Sequence, residues 1–255
     1  NLYKLKESFH SYKNINKMTF LLRDIQNKDD MSEVIKEYQI NTIYHSAAYK
    51  HVPLLEVKGN NKSAITNNFF GTFDLCEIAS DLEVDSFVLI SSDKAVNPKN
   101  IMGASKRLAE LSTQAFQRKT NNQTTFSIVR FGNVLNSSGS VVPLFWEQIN
   151  SGGPVTVTHQ EINRYFMTIK EAASLVIQAG SIAEGGEVFL LDMGEPIKIK
   201  EIAERMIRLS GNSVSNEEDS NGIQIIYSGL REGEKLYEEL LLSKDPKETV
   251  HKKIK

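Results

Sequence analysis

Residues 91–106, SSDKAVNPKNIMGASK, place two hydroxyls, a carboxyl and an amine directly after the apolar run FVLI. Ser91, Ser92, Asp93 and Lys94 would then stand at the carboxyl end of a buried strand, where open parallel sheets bind their ligands. Such a set can give and take protons, or simply form an ion pair in a loop. Lys106 follows twelve residues after Lys94 in a helical pattern, with Met102 four residues before it. Three other strand ends carry polar or small residues: RDI (23–25), HSAAYKH (45–51) and FGNV (131–134). Asp24 could accept bonds from an adenine or a ribose, or cap a helix. Ala47 and Ala48 could let a flat cofactor lie against backbone, or let a helix pack tightly on its strand.

Hydrophobic spacing supplies the elements that must hold these groups. MTFLLRD (18–24), TIYHSAA (42–48), VDSFVLISS (84–92) and TTFSIVRFGNV (124–134) read as buried strands. Helical spacing appears in Leu2, Leu5 and Phe9, in Met31, Val34, Ile35 and Tyr38, and over 62–81 and 102–119. Short apolar strands alternating with amphipathic helices predict a parallel sheet covered on both faces. After about residue 135 the rhythm loosens. SGGPVTVT and RYFMTI read as short strands, 170–180 as a helix, EVFLLD as a strand, and 198–210 as a helix whose inner face is Ile199, Ile202, Ala203 and Met206. The polar stretch 210–222 reads as an exposed loop and HKKIK as a short solvated basic tail. There is no internal repeat.

The chain has 255 residues, 40% of them hydrophobic, enough for one large domain or one and a half. A net charge of −2 without a strongly basic stretch argues against nucleic-acid or membrane-surface binding. The single cysteine, Cys76 in FDLCEIA, cannot form an internal disulfide and reads as a packed small hydrophobe in a reducing compartment, so a cytoplasmic location is expected. No metal is expected. No apolar run approaches the ~18–20 residues of a membrane span, and no signal peptide is visible. The chain opens on Asn1 rather than Met, which suggests a fragment that a membrane segment could precede, at the cytoplasmic face of the membrane. Nothing matches G-x-G-x-x-G, the turn that normally opens a doubly wound domain. The pattern is therefore expected to begin one βα unit late.

The stretches HSAAYKHVPLLE, NNFFGT, SSDKAVNPKNIMGASKR, VRFGNVLNSSGSVVPLF, RYFMTIKEAA and GLREGEKLYEELL follow the order found in nucleotide-sugar 4,6-dehydratases. These belong to the extended short-chain dehydrogenase/reductase superfamily. The chain most resembles the UDP-N-acetylglucosamine 4,6-dehydratases of polysaccharide and glycan biosynthesis, from about residue 18 to its end. The resemblance implies an α/β fold: a Rossmann-like doubly wound parallel sheet, lacking its N-terminal βαβ unit, with a smaller mixed α/β substrate domain. Residues 1–135, with part of 170–200 returning, would bind the dinucleotide; 136–255 would mostly bind the nucleotide sugar.

It also implies a redox-neutral dehydration with tightly held NAD or NADP. Hydride leaves sugar C4, a base takes the C5 proton, an acid helps the C6 hydroxyl leave as water, and hydride returns to C6. Asp93 matches the family's acid and Lys94 its candidate C5 base, while Ser92 would bond the sugar near C4. Lys106 would bind the nicotinamide ribose. Met102 stands where inverting members carry tyrosine, and resembles the often membrane-associated branch that retains C5 configuration. A thioether cannot take the C4 hydroxyl proton, so Lys106 or a water chain is expected to do so. Family-matched cofactor positions are Asp24, Ile25, Ser46, Ala47, Ala48, Lys50, Asn67, Ser91, Lys106 and Phe131. For the UDP-sugar they are Asn133, Arg164, Arg231 and Glu234; a planar guanidinium suits a diphosphate, though either arginine could instead form a salt bridge. NSSGSVVP leads into a helix whose first amides could face phosphate. A homo-oligomer is expected. The competing readings are a nucleotide-sugar 4- or 5-epimerase and a non-catalytic nucleotide-binding scaffold.

Overall fold

Strands β1 (Thr42–His45), β2 (Ser86–Ile90), β3 (Thr125–Arg130) and β4 (Val188–Leu190) form one parallel sheet, in that order, in the computed structural model. The structure describes residues 2–137, 139–215, 221–241 and 246–255. Successive strand side chains point to opposite faces, and both faces here are apolar. Phe87, Leu89, Phe126 and Ile128 pack under helices α1 (Lys28–Glu37), α2 (Gly71–Asp81) and α3 (Ile101–Gln117). Val88 and Val129 go the other way, beneath Leu175, Val176 and Ala179 of the helix Ile169–Ile182. Burying each of these large side chains is worth about 1.5–3 kcal/mol. This is a Rossmann-like α/β arrangement. Cys76 is fully buried in the first of these layers, and burial pushes its thiol up to about 12, so it packs as a hydrophobe.

Beyond β3, helices α4 (Val141–Asn150), α5 (Ile169–Ile182) and α6 (Ile199–Leu209) alternate with short strand pairs. Phe145, Val155, Val157, Ala203 and Ile207 form a separate core under the parallel pair Val155–Val157 and Ile225–Tyr227. Asn133–Val134 pairs with Phe166–Met167, and Asn163–Arg164 with Ile197–Lys198. These two ladders fasten the chain after β3 above the carboxyl end of the sheet.

Four expectations change. MTFLLRD is not a strand: it forms no ladder with any described residue, and Leu22 is 81% exposed. An apolar run becomes a strand only where it meets a partner edge, and among the described residues none pairs with 18–24. The basic tail is not simply solvated. Ile254 is 1% exposed and bridges Leu191 antiparallel, while Leu190 and Lys255 exchange two backbone bonds beside β4. The single helix expected over 62–81 is Asn60–Ala64, a π-helical turn Ile65–Phe70, and α2. Asn67 and Asn68 in that turn are both buried. Ile225–Tyr227 is a strand absent from the sequence reading. Of the loop expected at 210–222, residues 216–220 lie outside the described residues, as does Ser138 in NSSGSVVP.

Candidate active site

Past the end of β2 the parallel ladder continues through Ser91 N–H to Val129 O at 2.8 Å and Asp93 N–H to Phe131 O at 3.1 Å. Those bonds pin the turn that carries the acid and the amine. Asp93 is 0% exposed. Its Oδ1 accepts from Ser92 Oγ at 2.8 Å and from Lys94 Nζ at 3.0 Å, while its Oδ2 is buried without a partner. Lys94 Nζ also donates to Asn133 Oδ1 at 3.2 Å. Two glycines let neighbouring backbone come this close. A Cβ on Gly103, in the first turn of α3, would lie 2.2 Å from Lys94 O, and one on Gly132 would lie 3.3 Å from Asp93 Oδ2. Asn100 caps α3 by accepting from Gly103 N–H at 2.8 Å.

Two adjoining cavities open at this end of the sheet. One of about 480 Å³ is lined by Ser46, Ala48, Lys50, Ser91, Ser92, Lys94, Met102, Lys106, Phe131, Asn133, Arg164, Arg231 and Glu234. The other, of about 590 Å³, is lined by Asp24, Ile25, Ala47, Ala48 and Asn67. Ala48 belongs to both, so the two form one groove across the strand ends. Among the residues expected at the site, only Asp93 lines neither. It communicates with the groove through Ser92 and Lys94, which do. Met102 is nearly buried, packed with Leu55 and Ala64. Ser140, at the N-terminus of α4, lines the groove with its hydroxyl buried and unpaired.

Lys106 reaches up α3 to donate to Ile90 O at 2.8 Å. Burial pulls its amine down to about 8, partly offset by Glu110. Burial, with the Lys106 charge, lowers the neighbouring His45 to about 3, so that imidazole is neutral. Its Nε2 lies 2.9 Å from Thr72 Oγ, which itself donates to Asn68 O at 2.7 Å, so His45 is the donor. Burial also lowers the Lys50 amine. A depressed lysine costs stability below its folded value and stops costing it as pH rises. Replacing Lys106 by methionine is therefore expected to stabilise the fold at pH 7 by about 1–2 kcal/mol, the desolvation relieved exceeding the lost bond to Ile90 O. The gain should fade as pH rises from about 8 toward 10.5. Urea unfolding of both proteins across that window checks the sign.

Arg164 and Arg231 differ in what their side chains already do. Arg164 is buried, and its fork donates to Asn163 O at 2.7 Å, Lys235 O at 2.8 Å and Leu236 O at 3.3 Å, with Glu234 Oε1 3.4 Å away. Arg231 is exposed on the groove, and among the described residues no acid pairs with it.

Three functional neighbours escaped the sequence reading. Asn68 clamps the loop after β1, accepting from Tyr49 N–H at 2.7 Å and donating to Tyr49 O at 3.0 Å. Glu110 accepts from Ser91 Oγ at 2.7 Å beneath the site. Glu238 stands 3.6 Å from Lys94 Nζ. Glu110 falls one turn after Lys106 on a buried face, a signal that could have found it. Glu238 lies far away in sequence.

A family model described as polysaccharide biosynthesis protein matches residues 1–255. The capsular polysaccharide biosynthesis protein CapD of Staphylococcus aureus is 57% identical over 221 residues, covering 87% of this chain and 35% of that protein. The chain thus spans about a third of the length of that curated relative. Among solved structures, Pen from Bacillus thuringiensis is 36% identical with a TM-score of 0.84, over 94% of this chain and 70% of that one. DesIV, a dTDP-glucose 4,6-dehydratase from Streptomyces venezuelae with NAD and TYD bound, shares the fold with a TM-score of 0.78 at 17% identity, over 92% of this chain and 74% of its own.

Proposed function

This chain belongs to the polysaccharide biosynthesis protein family, and we propose that it is a nucleotide-sugar 4,6-dehydratase acting on UDP-N-acetylglucosamine or a close UDP-N-acetylhexosamine. The observation that carries this is the Asp93–Lys94 pair, joined at 3.0 Å, whose lysine lines a groove together with Lys106 and Arg231 while its acid lies just behind. The groove's residues fit a dinucleotide: Asp24 can bond ribose hydroxyls at one end, Ala47 and Ala48 leave room for flat rings, and the Lys106 amine stands at the other end. NAD or NADP bound there would take up hydride from sugar C4 and return it to C6. The 1–135 region, with part of 170–200, would hold it, and the remainder would hold the nucleotide sugar.

The chain's own residues then move protons and fix the sugar. Lys94 Nζ, on the groove, first passes a proton to Asp93 Oδ1 along their 3.0 Å bond and then, as the free amine, takes the C5 proton as the C5–H bond breaks. The C6–O bond breaks as the hydroxyl gains a proton and departs as water. That proton comes from Asp93, whose Oδ1 is bonded both to Ser92 Oγ and to Lys94 Nζ. Ser92 presents its hydroxyl to the C4 oxygen. Met102 can accept no proton, so the C4 hydroxyl gives its own to Lys106 or to water, in keeping with retention at C5. The free Arg231 fork binds the diphosphate, beside the unpaired Ser140 hydroxyl at the head of α4. Among the described residues no helix is long and apolar enough to cross a membrane.

The test is product analysis by NMR after incubating the complete protein with cofactor and UDP-N-acetylglucosamine in heavy water. A 4-keto sugar with a C6 methyl and deuterium at C5 is the expected result. An intact C6 hydroxymethyl with inverted C4 or C5 would mean an epimerase. No conversion by a protein that retains nucleotide would favour the scaffold.

A further inference from the structure

The segment 229–241 lies across the turn that carries Asp93 and Lys94. Asn100 Nδ2 donates to Gly233 O at 3.0 Å, Lys235 Nζ donates to Val96 O at 2.8 Å, and Asn97 bonds Glu239. Arg164 grips the same segment through the carbonyls of Lys235 and Leu236. One side chain of the segment reaches Lys94. Glu238 is buried, with Oε1 3.6 Å from Lys94 Nζ and 3.7 Å from Arg164 Nε, and with Oε2 unpartnered. A buried carboxylate that leaves an oxygen unsatisfied costs free energy, and here it stands between two cations, Lys94 and the buried Arg164. Residues 233, 235 and 239 already dock it.

The Lys94 amine sits on a flexible four-carbon stem beside a fully buried acid. With Asp93 as its sole counter-charge it would be drawn back into the wall. Asn133 at 3.2 Å and Glu238 at 3.6 Å give it two further partners, and Asn133 lines the groove. The distance to Glu238 is too long for a good hydrogen bond, so that carboxylate acts by its charge. Arg164, touching the same Oε1, fixes where that charge stands.

We propose that Glu238 is a positioning residue for Lys94, holding the resting amine beside Asn133 on the groove, so that proton removal at C5 depends on docking of the 229–241 segment. This rests on the dehydratase reading of the site. The variant Glu238→Gln keeps the shape and removes the charge. In the complete enzyme its kcat should fall by about a hundredfold, the scale of a small misplacement of a reacting group, with KM little changed. Substrate deuterated at C5 should then show a larger isotope effect on kcat than in the parent enzyme, while the effect of deuterium at C4 shrinks. Glu238→Asp, which restores the charge, should recover part of the rate. An unaltered kcat, or a slower enzyme with a lower melting temperature and both isotope effects unchanged, would overturn the proposal. If the parent enzyme forms no 4-keto-6-deoxy sugar, it is the dehydratase reading that fails instead.

Discussion

Glu110→Ala is expected to cost about 3–5 kcal/mol of folding stability, the scale for removing one partner from a buried ion pair. Glu110 is 0% exposed on α3. Its two oxygens accept from Arg130 Nε and Nη2, both at 2.6 Å, from Arg107 at 2.8 Å and from Ser91 Oγ at 2.7 Å. Deleting the carboxylate leaves the buried Arg130 guanidinium without a counter-charge, which is worse than removing both. Glu110→Leu combined with Arg130→Met should therefore recover much of the loss. Against a total of roughly 5–15 kcal/mol, the single change is large, and denaturant unfolding will show it as a lower midpoint. A pH dependence should accompany it. Burial pushes the Glu110 carboxyl up, but the bonds from Arg130, Arg107 and Ser91 outweigh that and hold it below its ordinary range. Its contribution is thus present above the ordinary carboxylate pKa and is lost as pH falls through the lower folded value. The alanine variant should lack that acid-side loss. A Glu110→Ala variant as stable as the parent would show that the network is incidental to the fold.

Glu110 also shows where sequence reading stops. The short apolar runs in VDSFVLISS and TTFSIVRFGNV were enough to place two central strands, because a sheet covered on both faces demands apolar side chains on each. The same logic failed at MTFLLRD, since apolar content says nothing about whether a partner edge exists. The residues after the strands were legible as polar exceptions at the ends of apolar runs, and Ser92, Lys94, Lys106 and Asn133 do converge on one groove. What could not be read was which polar side chains face each other from distant segments. Asp93 and Lys94 are neighbours in sequence, but Glu238 reaches them from the far end of the chain. Asn68 was hidden for a local reason. Two consecutive asparagines on a helix do not reveal which side chain will close onto the Tyr49 backbone, and it is Asn68 that does. HKKIK likewise looked like solvent-exposed charge, because a single isoleucine among lysines gives no periodicity, and only the free edge of β4 reveals what it covers.

Lys94→Ala is expected to lower kcat by about 10²–10⁴-fold, the usual worth of a positioned general base, and to cost stability as well, because the buried Asp93 and Glu238 lose their shared cation. The side chain is partly exposed on the groove, and its loss leaves Asp93 Oδ1 still bonded to Ser92. Asp93→Asn should behave differently. The amide oxygen can keep the Ser92 and Lys94 bonds, but an NH₂ then replaces Oδ2, which is buried with no partner nearby. That change should cost about 1–3 kcal/mol of stability for the unsatisfied donors, in addition to the lost proton donor. If the two groups serve one elimination step, their effects cannot multiply. The double variant Asp93→Asn, Lys94→Ala should be roughly as slow as the worse single variant, because residues that act as a unit are non-additive. Hydride removal at C4 needs neither group, so single-turnover oxidation of the substrate should persist in Lys94→Ala while C5 exchange with solvent deuterium disappears. Should C5 exchange continue at the parent rate, the base lies elsewhere on the groove, and Lys94 is then a counter-charge for Asp93 and Glu238 instead of a participant in the reaction.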